Sequence, residues 1–270
     1  GSSDESFSIL KSYSKKDHRV KVFKNDGTGI IDALRLAYVK SSGELITRMD
    51  SDDVMTVNKL EILSSNLILA GVGNVAVGLV KYFAEKELGD GFKRYEDWLN
   101  SLITKGNCFE EIYKECVIPS PCWMVYRVDF EKCDAVRPNR YPEDYDLTFR
   151  FYVNGLQPIP CDKILHHWRD YATRTSRTDK NYADNTFITI KADYFISQEY
   201  DETKNLVVWG AGRKGKALAQ ILIQKNIDFY WICDNPKKIG KHIYEKELLA
   251  VSQLETIENT QSIVTVANIK

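Results

Sequence analysis

The sequence predicts an α/β protein made of two units. Between residues 6 and 80, segments with helical spacing of apolar residues alternate with short apolar runs. This alternation is typical of a parallel or mixed sheet covered by helices on both faces. From Asn205 onwards, a buried-type strand leads directly into a glycine-rich turn and another helical pattern. We therefore expect a first unit over residues 1–178, a connecting helix over 179–204 and a second unit over 205–270.

Composition supports a globular protein and excludes several classes of partner. The chain has 270 residues, of which 43% are hydrophobic and 28% charged, with a net charge of -1. Such a balance gives no global field that would attract nucleic acid. Residues 68–80 are too short and glycine-interrupted for a transmembrane segment, and the N-terminus has no signal-peptide pattern. We therefore expect a cytoplasmic protein. Its six cysteines show no C-x-x-C spacing, so we expect them to be buried free thiols.

The first unit reads as helix, strand, helix, strand, helix, strand. Apolar residues at helical spacing predict helices around Phe7–Tyr13, Ile30–Ala37 and Leu60–Leu67. Short β-prone runs predict strands at residues 20–23, 43–49 and 74–80, and residues 25–29 break the first of them.

Three carboxylates, Asp50, Asp52 and Asp53, follow the second predicted strand. Like charges this close repel unless a cation or hydrogen-bond donors compensate. If the run stays extended, Asp50 and Asp52 share one face and Asp53 points away. Mg²⁺ or Mn²⁺ suits such a pair, because these ions bind one or two carboxylates and complete their shell with water and substrate phosphates. The alternative is a solvated acidic turn in which Asp53 and Thr56 cap the next helix.

Residues 81–164 predict a helix, two strands and a second acidic cluster. Tyr95, Trp98 and Leu99 fit a helix packed on the core, with direct substrate contact as the alternative. Residues 122–128 and 158–164 fit strands. Between them, Pro142 starts a helix whose first turn carries Glu143 and Asp144. These carboxylates are either an ordinary N-terminal charge cluster or a site for a general base.

A polar segment over residues 165–177 holds two histidines and three arginines. Its side chains could supply a metal ligand and phosphate contacts, or form a basic surface loop around a buried Trp168.

The second unit carries a dinucleotide-type fingerprint. Gly210-Ala211-Gly212-Arg213-Lys214-Gly215 follows a strand and opens a helix, and Asp234 ends the next strand nineteen residues after Gly215. In this context the glycines allow close approach of a pyrophosphate and the acid contacts a ribose. A short helix, with Ser252 and Glu255 in capping-box spacing, and a third strand over 262–267 would complete a partial Rossmann-like βαβαβ unit.

The order and spacing of several stretches resemble family 2 glycosyltransferases of the GT-A fold. The stretches are residues 1–6, 25–29, 43–53 and 142–147, with Arg150 and Gly155, and the likeness covers residues 1 to about 178. Residues 95–100, His167-Trp168-Arg169 and 174–177 resemble a bacterial branch in which a Rossmann-like domain follows the transferase.

The resemblance implies roles for particular residues. Asp50 and Asp52 would bind the ribose, the diphosphate and a Mn²⁺ or Mg²⁺ ion of a nucleotide-sugar donor, with Arg48 and Asn25 also at the donor site. Asp144 would be the catalytic base, with Glu143 beside it, and His167 would reach the metal or the diphosphate.

The implied activity is inverting transfer of a sugar to a hydroxyl of a glycan or lipid-linked acceptor in bacterial glycan or polysaccharide synthesis. This activity involves no nucleic acid and is compatible with peripheral membrane association. Two alternatives rest on Gly210, Gly212, Gly215 and Asp234: an NAD(P)-dependent oxidoreductase, or a non-catalytic module that senses a nucleotide, dinucleotide or nucleotide sugar.

One departure from the family pattern concerns the N-terminus. The family begins with a strand, a helix and a second strand that bears nucleoside-contacting residues, and Gly1 falls after them. The second unit, in turn, stops after half of a doubly wound domain. We therefore expect a stretch truncated at both ends, with weak donor affinity and little transferase activity by itself.

Overall fold

The computed structural model describes residues 2, 4–85, 88–182 and 184–266. The chain divides into two compact units, Gly1–Ala172 and Thr173–Lys270, and each has its own sheet. None of the helices in the described ranges is both long and apolar enough to cross a membrane. The predicted α/β class is confirmed.

Helices and strands alternate along the first unit. In chain order they are α1 (Ser6–Lys16), α2 (Gly29–Lys40), β1 (Leu45–Thr47), β2 (Val54–Met55), α3 (Lys59–Ala70), β3 (Asn74–Ala84), α4 (Asp90–Lys105), a 3-10 turn (Cys108–Glu111), β4 (Trp123–Tyr126), α5 (Arg127–Lys132), α6 (Glu143–Val153) and β5 (Gln157–Asp170). Gly1 and Ser3 of the N-terminal motif lie outside the described residues.

The sheet of the first unit is mixed, with the strand order β1-β4-β3-β5-β2. β3 runs parallel to β5, while β4 is antiparallel to both β1 and β3. β3 forms the centre of the core, since Val75, Ala76, Val77 and Val80 have no exposed surface. Both α3 and α4 contact it. The alternating pattern of the sequence therefore produced the expected architecture.

The strand predicted at residues 20–23 is wrong. In the described residues this segment pairs with no strand of either sheet. Val20 and Val22 are half-buried, whereas Phe23 is 44% exposed. The alternating pattern was present, but a strand also needs a neighbouring backbone to satisfy its N–H and C=O groups.

The surface-loop alternative for residues 165–177 is wrong over its first six residues, because β5 continues to Asp170. It pairs with β3 as far as the register Ala84↔Asp170, and with β2 at Val54↔His167. His166 and Trp168 are buried in this strand. Histidine and arginine hid the strand in the sequence, since neither residue type marks a buried strand.

The second unit is built around a mostly parallel sheet. Its elements are α7 (Thr175–Thr178), a 3-10 turn (Lys180–Tyr182), α8 (Asp184–Gln198), β6 (Asn205–Trp209), α9 (Arg213–Gln224), β7 (Tyr230–Ile232), β8 (His242–Ile243), β9 (Lys246–Leu249), a 3-10 helix (Val251–Thr256) and β10 (Thr260–Val264). The strand order is β10-β6-β7-β9-β8, and only β8 pairs antiparallel to its neighbour. Leu206, Trp231 and Leu248 of the sheet pack with Leu218 and Leu222 of α9.

Three details of the second unit differ from the sequence-based expectation. A hairpin of β8 and β9 adds to the three predicted strands. The short helix is a 3-10 helix that follows Ala250. The N–H of Ala250 donates to the side chain of Gln253, so Ser252 and Glu255 are not the capping pair of this helix. The last strand begins at Thr260, and Ala267 lies outside the described residues.

Candidate active site

Arg48 joins the two acidic clusters of the first unit. β1 ends at Thr47, so Arg48 and Asp50 lie just beyond the strand. Arg48 Nε donates to Asp50 Oδ1 over 2.8 Å, and Nη1 donates to Glu143 Oε1 over 2.9 Å. Burial alone would lower the pKa of Arg48, but the negative charges of Asp50, Glu143 and Asp144 outweigh it and raise that pKa. The guanidinium therefore stays charged between the carboxylates.

Asp144 lies in the first turn of α6 and has an unusual acidity. Its Oδ1 accepts the N–H of Tyr145 over 2.8 Å. Burial, followed by the charge of Glu143, raises the pKa of Asp144 to about 7, although Arg48 and the Tyr145 N–H act in the opposite direction. A helix N-terminus and a nearby arginine would lower the pKa of an exposed carboxyl, so burial dominates here. A carboxylate with a pKa near neutrality is suited to accept a proton.

The acidic run forms a turn and does not stay extended, because the N–H of Asp53 bonds to the carbonyl of Asp50. Asp50 and Asp52 therefore do not share one face in the way that an extended run would place them. Each carboxylate has its own donors: Arg48 for Asp50, the Tyr171 hydroxyl for Asp52 at 2.9 Å, and the Arg169 N–H and His166 ring for Asp53. These donors relieve the mutual repulsion of the carboxylates.

Asp53 and Thr56 do not cap α3, contrary to the alternative considered for the acidic run. The N-cap of α3 is Asn58, and its side chain makes no capping hydrogen bond. Thr56 bonds instead to the carbonyl of Leu165 in β5, through both its N–H and its hydroxyl. β5 therefore holds the segment that follows the turn.

Two residues expected near the donor are not gathered into this cluster. His167 lies next to His166 on β5, so the two rings point to opposite sides of the strand. The side chain of Asn25 bonds to both backbone groups of Gly27. The contacts of the described residues therefore bring Arg48, Asp50, Glu143 and Asp144 together, but neither His167 nor Asn25 with them.

The donor chemistry of the turn fits a hard divalent cation. Within the described ranges, no three His, Cys, Asp or Glu side chains form a preformed metal cage. Mg²⁺ and Mn²⁺ do not require one, since they take one or two carboxylates plus phosphate oxygens. In the same part of the chain, Asp52 uses only Oδ2 for a side-chain hydrogen bond, to Tyr171. Asp50 and Asp52 are therefore the residues that could hold the ion.

A cavity of about 390 Å³ lies against this cluster. Arg48, Glu143 and Asp144 are part of its lining, which also includes further charged side chains and apolar ones such as Leu34, Phe130 and Leu147. Its size falls within the range of small-molecule sites, which combine apolar walls with a few polar groups. The arrangement can hold a small ligand beside a carboxylate that is able to accept a proton.

The glycine-rich turn of the second unit is tightly built. Gly210 has a φ of +96°, and a Cβ on Gly215 would lie 1.9 Å from the carbonyl oxygen of Gly210. Larger residues are therefore excluded at both positions. Gly212, the N-cap of α9, faces open space instead. The turn is further held by Lys238, which bonds to the carbonyl of Ala211, while Asp234 is exposed after β7.

The sequence did not reveal the buried residues that contact the acidic turn through Asp53. Lys59, His166 and Asp53 form a buried chain of contacts. A lysine at the start of a helix usually indicates a solvent-exposed position, so Lys59 gave no signal. The pair His166-His167 did give a signal, but only the fold decides which ring faces the turn.

Comparison with known proteins adds an independent observation. Residues 1–134 match a sequence model of the family described as glycosyl transferase family 2. An uncharacterized glycosyltransferase of Haemophilus influenzae is 29% identical over 253 residues, which cover 86% of this chain and 76% of that protein. An uncharacterized glycosyltransferase of Rickettsia bellii is 32% identical over 142 residues, 53% of this chain and 19% of that protein.

A third relative has a more specific name. The O-antigen biosynthesis glycosyltransferase WbnJ of Escherichia coli is 28% identical over 186 residues, which cover 64% of each protein. The chain thus spans between 19% and 76% of the lengths of these three relatives.

Proposed function

Because this chain belongs to glycosyl transferase family 2 through its residues 1–134, we propose that it transfers a sugar from a nucleotide-diphosphate donor to a hydroxyl acceptor. The observation that carries the proposal is the position of Asp144. Its pKa of about 7 suits a general base, and it lies in one cluster with Arg48 and the acidic turn. Proton acceptor and donor-binding carboxylates then belong to the same site.

Asp144 takes the proton in the proposed reaction. The acceptor hydroxyl oxygen bonds to the anomeric carbon, and the bond from that carbon to the diphosphate oxygen breaks. The hydroxyl proton passes to the carboxylate of Asp144. A single displacement of this kind inverts the anomeric centre, as the family resemblance implies. A positioned general base contributes about 10² to 10⁴ in rate.

The acidic turn binds the donor in this proposal. Asp50 and Asp52 would hold a Mn²⁺ or Mg²⁺ ion, which supplies charge neutralisation for a departing diphosphate. Arg48 orients Asp50 and keeps Glu143 ionically paired. Tyr171 and Arg169 fix Asp52 through its side chain and its carbonyl.

A glycan or lipid-linked glycan is the acceptor class that we propose. The name of the relative WbnJ, an O-antigen biosynthesis glycosyltransferase, supports this class.

A second function is proposed for the second unit, namely binding of a nucleotide or dinucleotide at Gly210, Gly212 and Gly215. The open space at Gly212 supports it, because N–H groups at a helix N-terminus attract phosphate and only a small residue allows close approach. Asp234 would contact the ribose. No turnover is required of this unit.

A thermal-shift panel tests the proposed transfer. The longest form of the protein that its gene encodes would be heated with nucleoside monophosphates, nucleoside diphosphates and nucleotide sugars, each with and without Mn²⁺. We expect at least one nucleotide sugar to raise the melting temperature only when Mn²⁺ is present, and nucleoside monophosphates to have little effect. Stabilisation that ignores Mn²⁺ in every case would contradict the donor site at Asp50 and Asp52.

A further inference from the structure

A buried lysine lies directly behind the acidic turn. Lys59, the first residue of α3, is 1% exposed. Its Nζ donates to the carbonyl of Pro121 and lies 3.2 Å from Nδ1 of His166. Burial lowers the pKa of this ammonium group. A lysine is almost never buried to this degree without partners that compensate its lost hydration.

His166 links Lys59 to the acidic turn. Its ring has no exposed surface, and its Nε2 lies 2.9 Å from Oδ2 of Asp53, whose side chain is only 1% exposed. An ammonium group has donors and no acceptor, so Nδ1 of His166 accepts from Lys59. Nε2 then carries the proton and donates to Asp53. The ring connects a buried positive charge to a buried negative charge in a defined order.

Asp53 in turn fixes the acidic run. Its Oδ1 accepts the N–H of Arg169 over 2.8 Å, and its own N–H closes the turn on the carbonyl of Asp50. The neighbouring carbonyl of Asp52 accepts from Arg169 Nε over 2.8 Å. Hydrogen bonds therefore hold the backbone on both sides of Asp52, and the side chain of Asp53 joins this backbone to β5.

We propose that Lys59 and His166 are positioning residues that hold the acidic turn, through Asp53, in the shape that presents Asp52 to a divalent cation. This inference rests on the proposed function, which assigns the cation to Asp50 and Asp52. Neither Lys59 nor His166 touches the donor in this account. Groups that orient metal ligands from behind typically change metal affinity by about 10- to 100-fold when they are removed.

Mn²⁺ binding, followed by the paramagnetic resonance signal of the free ion, separates positioning from simple stabilisation. In Lys59→Met the chain of contacts is broken while the side-chain length is kept, so we expect Mn²⁺ affinity to fall about 10- to 100-fold. Lys59→Arg keeps the positive donor and should retain most of the affinity. Lys93→Met, at an exposed lysine on α4, is the matched control and should bind as the wild type does.

The outcomes distinguish this inference from the proposed function. A folded Lys59→Met variant with a lower melting temperature but unchanged Mn²⁺ affinity would overturn the inference alone. A wild-type protein that binds no Mn²⁺ would overturn the metal assignment of the proposed function and the inference with it. If Lys59→Met does not fold, the nitrogen resonances of His166 in the wild type decide: a proton on Nε2 supports the chain of contacts, and a proton on Nδ1 overturns it.

Discussion

The guanidinium of Arg48 donates a 2.9 Å hydrogen bond to the carboxylate of Glu143, and both side chains are about nine-tenths buried. This pair connects the turn after β1 to the start of α6. It also brings the positive charge of Arg48 close to Asp144, where this charge offsets part of the rise in the pKa of that carboxyl. Removing one member of a buried pair leaves the other without compensation. The pair therefore controls both the geometry and the acidity of the candidate site.

Replacing Arg48 by glutamine should raise the pKa of Asp144 further above 7. The arginine charge favours the ionised carboxylate, and glutamine lacks that charge. Carbon-13 resonances of the Asp144 carboxyl, followed across pH, measure the change directly. Arg137→Gln, at an exposed arginine, should leave the titration where it is in the wild type. An unchanged or lower pKa in Arg48→Gln would contradict the pairing.

Asp144 should make the protein less stable as the pH rises. Its pKa of about 7 in the folded state is above the ordinary value of 3.8, so the folded state binds more protons between these values. The stability contribution of the neutral carboxyl is present below about pH 4 and lost as the pH rises through 7. Each pKa unit of the shift corresponds to about 1.4 kcal/mol.

The variant Asp144→Asn, which cannot ionise, tests this sign. Relative to the wild type it should gain at least about 1.4 kcal/mol of unfolding free energy between pH 4 and pH 8, the value of one pKa unit. Urea unfolding at both pH values measures the gain. Asp97→Asn, at an exposed position, is the control and should show little gain. A constant difference between Asp144→Asn and the wild type would show that Asp144 is not perturbed.

Asp52→Asn should abolish the Mn²⁺ dependence of donor binding while the fold is kept. Asparagine preserves the size of the side chain and can still accept from Tyr171, but it removes the negative charge that a hard cation requires. Calorimetric titration of a nucleotide sugar, with and without Mn²⁺, measures the effect. Equal Mn²⁺-dependent affinity in the variant and the wild type would remove Asp52 from the metal site.

Gly212→Val should block phosphate binding in the second unit without disturbing its structure. A Cβ atom at this position meets no atom within 4 Å, and the backbone is in the extended region. The melting temperature without ligand should therefore stay near that of the wild type. A panel of nucleotides and dinucleotides should stabilise the wild type and not the variant.

Gly89→Val is the matched control for that substitution, since Gly89 is also an N-cap glycine in open space. It should respond to ligands as the wild type does. If no nucleotide or dinucleotide stabilises the wild type, the glycine-rich turn has only a structural role.

The sequence was sufficient for the elements with clear periodicity. β3 and α6 were both predicted, because Val75, Val77 and the face of Tyr145 and Phe149 follow the periods of a strand and a helix. The segment 20–23 shows the limit of such patterns, since alternation does not reveal whether a partner strand is present.

The candidate site was predicted in part. Asp50, Asp52, Glu143 and Asp144 were recognised by crowding of charge and by family resemblance, and their order along the chain was visible. Their connection through Arg48 was not, because a contact between distant segments depends on the fold. The same reason hid Lys59, whose burial follows from its position between β5 and the turn at Pro121.

The rate of sugar transfer by Asp144→Asn at saturating donor is the most direct test of the proposed function. It would be measured beside donor affinity, on the longest form of the protein that its gene encodes. We expect normal donor affinity and a transfer rate lower by at least about a hundredfold, the lower end of general-base contributions. A transfer rate equal to that of the wild type, or a loss of donor affinity as large as the loss of rate, would contradict the assignment of Asp144 as the base.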